Sequence, residues 1–255
     1  MCYNNAMNTP ELNRPEPKDS KRAEKTPTRS LEILNYDHAS MLVNHESPDS
    51  MFAYRLADAW RDGLPDGWQP LGVEATKHTN VWVGECGGRW WLAKLKQHIM
   101  ETDEQLAALG VKRGELSERE QKRVNANNSF VSELTLAPKI RRVIDDPALQ
   151  AEIMTDFPTV TSLKYVEPLL GVAMNVRDSS DKYVIYPMID DAWAVDAPNR
   201  PDDLQIDYLD GTSISLRLRT ALAEAGIDAD DLDASQLLED LDGGLYLIDA
   251  EGYTA

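Results

Sequence analysis

Between Gly67 and Lys96 short apolar runs alternate with turn chemistry: GWQPLGV, the polar stretch EATKHTN, VWVGEC, a Gly87-Gly88 pair and RWWLAKLK. Runs rich in Val and Trp that are joined by such turns predict three strands of an antiparallel meander. Ahead of them, SLEILNYDHASMLVNH and MFAYRLADAWRDGL carry apolar residues at mixed helical spacing. Ser50 as cap and Gly63 as stop predict a helix over Met51 to Asp62. Behind the meander, the charged stretch ETDEQLAALGVKRGELSEREQKRVNANNSFVSELTL reads as helix-forming, broken at Gly110 and Gly114.

Further along, Asp145-Asp146-Pro147 is turn chemistry between two apolar runs, Ile140 to Ile144 and Leu149 to Phe157, and predicts a second hairpin. A third is expected in VAMNVRDSSDKYVIYPMI, turning at Asp178 to Asp181. SISLRLRTALAEAG has the pattern of an amphipathic helix stopped by Gly226, with Leu216, Leu218 and Leu222 among its apolar positions. GGLYLIDAEG then places a short buried strand, Leu245 to Ile248, directly before Asp249.

Composition narrows the setting. A chain of 255 residues with 42% hydrophobic residues can bury one large core or two small ones. Residues 1–30 hold four prolines and one aromatic residue, too little apolar surface to offset the entropy of ordering, so a disordered leader is expected there. Two cysteines, Cys2 and Cys86, make no disulfide framework, and no apolar run approaches the about 18 residues of a membrane helix or the core of a signal peptide. A cytoplasmic protein that does not engage a membrane is expected. His38, His45, His78 and His98 lack ligand spacing, and no nucleophile elbow, phosphate-binding glycine loop or Cys-His pairing is present.

Charge is unevenly placed. Residues 190–255 carry 17 acidic against 3 basic residues, a net of −14, while the other 189 residues carry −4. Such a field repels nucleic acid and attracts cations or basic proteins. The closing stretch, GIDADDLDASQLLEDLDGGLYLIDAEGYTA, admits two readings. In one, Asp228, Asp230, Asp231 and Asp233 cap or flank a short helix ASQLLEDL in a solvated acidic loop. In the other, Asp231 and Asp249 are carboxylates of a catalytic site. The spacing does not match a calcium loop.

The second reading draws on a resemblance. The order of meander, helix, hairpin strands, long helix, loop and short strand ending in Asp resembles the protein-kinase-like fold, including aminoglycoside-phosphotransferase-like and small bacteriophage or effector kinases. WWLAKL puts Lys94 at the phosphate-gripping lysine, NSFVSELTLAPKI puts Glu133 at its glutamate partner, and LAPKI is similar to the Leu-x-Pro-x-Val segment of the phosphotransferase branch. DDLDASQLL resembles the catalytic loop, with Asp231 at its Asp and Gln236 at its Asn, and Asp249 in LIDAEG falls at the magnesium-binding Asp. The chain departs from the pattern at Ala229, where the family has His, at Ala250, where it has Phe, and in EATKHTN, which lacks the glycines of a phosphate loop.

The resemblance implies an α+β, two-lobed chain: an N-lobe-like region over 31–157 with an antiparallel sheet, and an abbreviated helical C-lobe-like region over 158–255. The boundary is open between 157 and 189, with Met154 to Phe157 and Tyr186 to Ile189 both suited to connect the lobes. It implies ATP and Mg2+ as ligands, with Lys94 on the phosphates, Glu133 holding Lys94, Asp231 orienting an acceptor hydroxyl, and Gln236 and Asp249 on the metal. Thr76, Lys77 and Thr79 would stand in for the missing phosphate-loop glycines. The activity implied is transfer of a phosphoryl group to a protein or small molecule. Two alternatives stay open: a catalytically inactive kinase-like scaffold or acidic interaction protein that binds a basic partner, and an acidic mimic of DNA.

Overall fold

The structure is a computed structural model that describes residues 31–71, 81–96, 130–174, 182–250 and 253–254. The expected leader, the turn holding Thr76, Lys77 and Thr79, the helix-forming stretch up to residue 129 and the turn at 178–181 lie outside the described residues. The architecture is α+β, with one large antiparallel sheet, one smaller mixed sheet and few helices.

The predicted meander is present. β3 (Gln69–Pro70), β4 (Val81–Cys86) and β5 (Arg89–Lys96) pair antiparallel, and β4 turns into β5 through Gly87 and Gly88, both at positive φ. Trp91, with the partly buried Trp82, joins a core with the helix α1 (Ala53–Trp60), whose Ala53, Leu56, Ala57 and Trp60 are buried at the i, i+3, i+4, i+7 spacing of one helical face. A 3-10 turn over Ser50–Phe52 leads into it, so the helix predicted for Met51 to Asp62 occupies the shorter span. Trp60 meets Trp68 edge-on at a centroid distance of 5.0 Å. Gly84 lets that stack approach β4: a Cβ there would lie 2.3 Å from the Trp68 ring.

Two stretches fold differently from the expectation. SLEILNYDHASMLVNH forms a hairpin of β1 (Leu31–Asn35) and β2 (Ala39–Asn44), closed by Tyr36 N–H donating to Ala39 O at 2.8 Å. A short apolar run fits either period, and pairing of β2 with a later strand, Leu170–Met174, decides for strand. The hairpin expected around Asp145-Asp146-Pro147 is instead a break between two helices, α2 (Phe130–Ile144) and α3 (Pro147–Asp156). Asp146 caps α3 by accepting the Ala148 N–H at 2.8 Å, and Pro147 takes the first helical position, where its missing N–H costs nothing. LAPKI thus lies within α2, with Pro138 inside the helix.

The chain then moves between sheets. β6 (Ser162–Tyr165) belongs to the smaller sheet, β7 (Leu170–Met174) and β8 (Lys182–Pro187) return to the larger, and β9 (Ala192–Ala194) re-enters the smaller. The larger sheet runs β1-β2-β7-β8-β5-β4-β3, and the smaller runs β6-β11-β10-β9 after β10 (Leu237–Asp240) and β11 (Gly244–Leu247) join it. Passage between sheets falls at residues 166–169 and 188–191. Tyr186 to Ile189 sits at the second passage, whereas Met154 to Phe157 closes α3.

Helix α4 (Tyr208–Glu224) is the long amphipathic helix, begun five residues earlier than SISLRLRTALAEAG suggests because Asp207 caps it through the Asp210 N–H. Its Ile214, Leu218 and Leu222 enter a second core with Ile140, Ile144, Ile153, Leu237, Leu245 and Leu247. Gly211 allows close packing, since a Cβ would meet Val195 Cγ1 at 2.7 Å. Buried Glu239 on β10 ties down the loop ahead of α4, accepting from Arg200 at 2.6 Å and from the N–H groups of Gln205 and Ile206. No described helix is long and apolar enough to cross a membrane.

At the first passage sits Glu167, almost fully buried. Its carboxylate accepts from Arg141 of α2 at 2.7 Å and from Asn44 at the end of β2 at 3.0 Å. Burial pushes this carboxyl up, against the pull of the Asn44 and Arg141 bonds. Removing one partner of a buried pair strands the other, so Glu167→Ala is expected to lower stability by roughly 3 kcal/mol in urea unfolding. A Glu167→Ala, Arg141→Ala double variant should lose less than the sum of the two single losses, and strict additivity would refute the coupling.

Candidate functional site

The alternation of β5 divides its side chains. Trp91 and Ala93 are fully buried in the tryptophan core, so Lys94 projects from the opposite face, where β5 pairs Val184 of β8. On that face Val184, Tyr186 and Val166 form a small apolar cluster with Tyr246 and Ile248, which brings the β11 segment of the smaller sheet against the larger one. Asp249 follows. Its φ of 57° lies in the left-handed region, which Asp tolerates better than most residues and which turns its carboxylate back toward β5.

The result is an ion pair across 155 residues of sequence: Lys94 Nζ donates to Asp249 Oδ2 at 2.5 Å. The side chains are 15% and 24% exposed, so the pair is screened from most solvent while remaining reachable. Of the candidates among the described residues, the structure therefore brings together the two farthest apart in sequence. Glu133, on the first turn of α2, is buried. Its charge and that of Asp249 both act on the hydroxyl of Tyr165, which pairs in register with Leu247 of β11.

The loop carrying Asp231 is fastened to the Asp249 segment. Asp228 and Thr254 exchange backbone hydrogen bonds at 2.7 and 3.0 Å, and Arg219 of α4 donates to Leu232 O at 2.5 Å. Asp231, Asp233 and Asp249 all act on the Tyr253 hydroxyl, as does Arg219.

Gln236 has a different placement from the expected one. Its amide oxygen accepts the Asp233 N–H at 3.1 Å, closing a capping box over the 3-10 turn Ala234–Gln236, and its amide nitrogen donates to Asp249 O at 2.8 Å. Gln236 thereby holds the Asp249 backbone in position. The acidic reading of this loop was half right: Asp233 is a cap, but the residues after Gln236 form strand β10 and not a helix. Thr76, Lys77 and Thr79 have no described placement.

Among the described residues, no group of three or more His, Cys, Asp or Glu side chains gathers closely enough to hold a metal ion. That donor set does not suit a metal caged by protein alone. It does suit magnesium carried on a nucleotide, which takes one or two carboxylates and completes its shell with phosphate oxygens and water.

Sequence reading passed over Tyr165, Tyr253 and Arg219. The hydroxyls of Tyr165 and Tyr253 are buried without a protein hydrogen-bond partner. Burial pushes both far up, and the neighbouring carboxylates add to the shift. The available signal was positional: Tyr253 stands four residues past Asp249, and Tyr165 ends a strand.

No protein-family model matches the chain, and no curated protein matches it. Among solved structures it is similar to a rhoptry kinase from Toxoplasma gondii, at 13% identity and a TM-score of 0.29, covering 69% of this chain and 44% of that one. It is also similar to a choline kinase from Streptococcus pneumoniae, at 12% identity and a TM-score of 0.26, covering 75% of this chain and 65% of that one. The chain spans less than two thirds of the length of either.

The two tyrosines generate a pH test. Their folded values lie above the ordinary 10.0, so the stability they contribute is fully present below pH 10 and is lost as pH rises through the folded values. In an alkaline absorbance titration, Tyr165 and Tyr253 are expected to ionise only as the protein unfolds. A Tyr165→Phe, Tyr253→Phe variant should lose that delayed phase; its survival would show that other tyrosines are responsible.

Proposed function

We propose that the chain is a kinase-like phosphotransferase that moves the terminal phosphoryl group of ATP to a hydroxyl of a protein or small molecule. The observation that carries this reading is the Lys94–Asp249 pair, with the Asp231 loop tied to the Asp249 segment beside it. Lys94 binds phosphate oxygens. Asp249 would hold the magnesium that accompanies the nucleotide, and Glu133, buried on α2, positions Lys94. Asp231 orients the acceptor hydroxyl and takes its proton as the acceptor oxygen bonds to phosphorus and the bond to the departing ADP oxygen breaks. Magnesium, when bound, supplies charge neutralisation at the phosphates.

A catalytically inactive kinase-like scaffold is the second reading, and one observation favours it. Both ends of the Gln236 amide are engaged within the loop, so its oxygen is spent on Asp233 and not offered to a metal. Such a site would bind a nucleotide without turning it over.

Calorimetric titration of ATP with and without magnesium separates these outcomes. Wild type is expected to bind in a metal-dependent manner, Asp249→Asn to lose that dependence, and Lys94→Met to weaken binding by about tenfold or more. Absence of metal-dependent binding in wild type overturns both readings. Binding without phosphoryl transfer to any hydroxyl acceptor, in wild type as in Asp231→Asn, decides for the scaffold.

A further inference from the structure

Helix α4 presents a face to solvent that its surroundings do not explain. Leu209, Thr212, Ser213, Leu216, Thr220 and Ala223 recur at helical spacing and are all exposed, Leu209 by 73% and Leu216 by 60%. This strip contains no charged residue, in a chain that is 27% charged. Its hydroxyls are turned inward: Thr212 donates to Tyr208 O at 2.8 Å, Ser213 to Leu209 O at 2.9 Å and Thr220 to Leu216 O at 3.0 Å. Hydroxyls satisfied by their own helix offer water little, so what faces outward is methyl and leucine surface. Tyr208, 59% exposed, extends the strip at its N-terminal end.

The charge of the segment that carries the strip, including Asp207 at the start of α4 and Glu224 at its end, narrows what can cover it. Residues 190–255 hold 17 acidic and 3 basic residues, and all three basic groups are engaged internally. Arg200 pairs with buried Glu239, Arg217 pairs with Glu152 and Asp156 of α3, and Arg219 bonds Leu232 O. Asp202, Asp203, Asp207, Glu224 and Asp230 are exposed in the same segment. A second copy of this chain would set one such acidic field against another. A helix with an apolar ridge between basic flanks would bury the leucines and meet the acidic residues with opposite charge.

We infer that the exposed face of α4 is a docking surface for a basic amphipathic helix of a partner protein. The surface is separate from the nucleotide site, and its test does not depend on that site.

The probe is a fluorescent synthetic helix with leucine at i, i+3, i+4 and i+7 and lysine elsewhere, read by anisotropy against the full chain. The same design with glutamate for lysine serves as comparison. Binding of the lysine peptide is expected to weaken with added salt and to fall by about tenfold or more in a Leu209→Ser, Leu216→Ser variant. Urea unfolding should be unchanged in that variant, since both side chains are exposed. Ile33→Ser, which removes an exposed apolar residue on β1, should leave binding intact. Equal binding of the glutamate peptide, or undiminished binding by the double leucine variant, overturns the proposal. So does sedimentation showing that wild type self-associates and the double variant does not, which would make a second copy the occupant.

Discussion

A single buried carboxylate fixes how the two sheets meet. Glu167 lies where the chain first passes from the smaller sheet back to the larger, and its oxygens hold Arg141 on α2 and Asn44 at the end of β2. Three elements distant in sequence are thereby fixed to one point. A buried charge of this kind is costly unless its lone pairs are filled, so the geometry around it has little freedom. The position of α2, and of Glu133 near its start, follows from that constraint.

The Lys94–Asp249 pair is a consequence of the same arrangement. Strand alternation points Lys94 away from the tryptophan core, and the apolar contact of Val184 and Tyr186 with Tyr246 and Ile248 brings the end of β11 within reach of it. The left-handed turn at Asp249 supplies the last step. Gln236 holds that turn from behind with its side chain, and its own carbonyl accepts the Ile248 N–H at 2.8 Å. Backbone strain at Asp249 is thus supported from two directions, as a residue held in the left-handed region requires.

What the sequence made legible was local. The meander could be read because Val, Trp and Gly-Gly chemistry have few other uses, and Lys94 and Asp249 stood out because one lies within a strand and the other just past one. Asp145-Asp146-Pro147 misled because the residues that turn a hairpin also cap a helix, and only the packing of Ile144 and Ile153 in one core settles which. The β1–β2 hairpin was hidden because β2 is a strand by virtue of its pairing with β7, more than 120 residues away. Glu239, Tyr165 and Tyr253 were missed for the same reason: a buried polar group is defined by neighbours from other elements. In LLEDL, Glu239 falls two residues after Leu237, on the same buried face of the strand, and this was the one local hint of the Arg200 network.

The backbone bridge between Asp228 and Thr254 brackets both candidate carboxylates, one on either side of the β10–β11 hairpin. Neither Asp231 nor Asp249 sits on a free loop; they share a clasp. Opening it exposes the amides of Asp228 and Thr254 to solvent together. The two acidic segments therefore belong to one cooperative unit of local unfolding, with amide exchange rates that rise and fall in step.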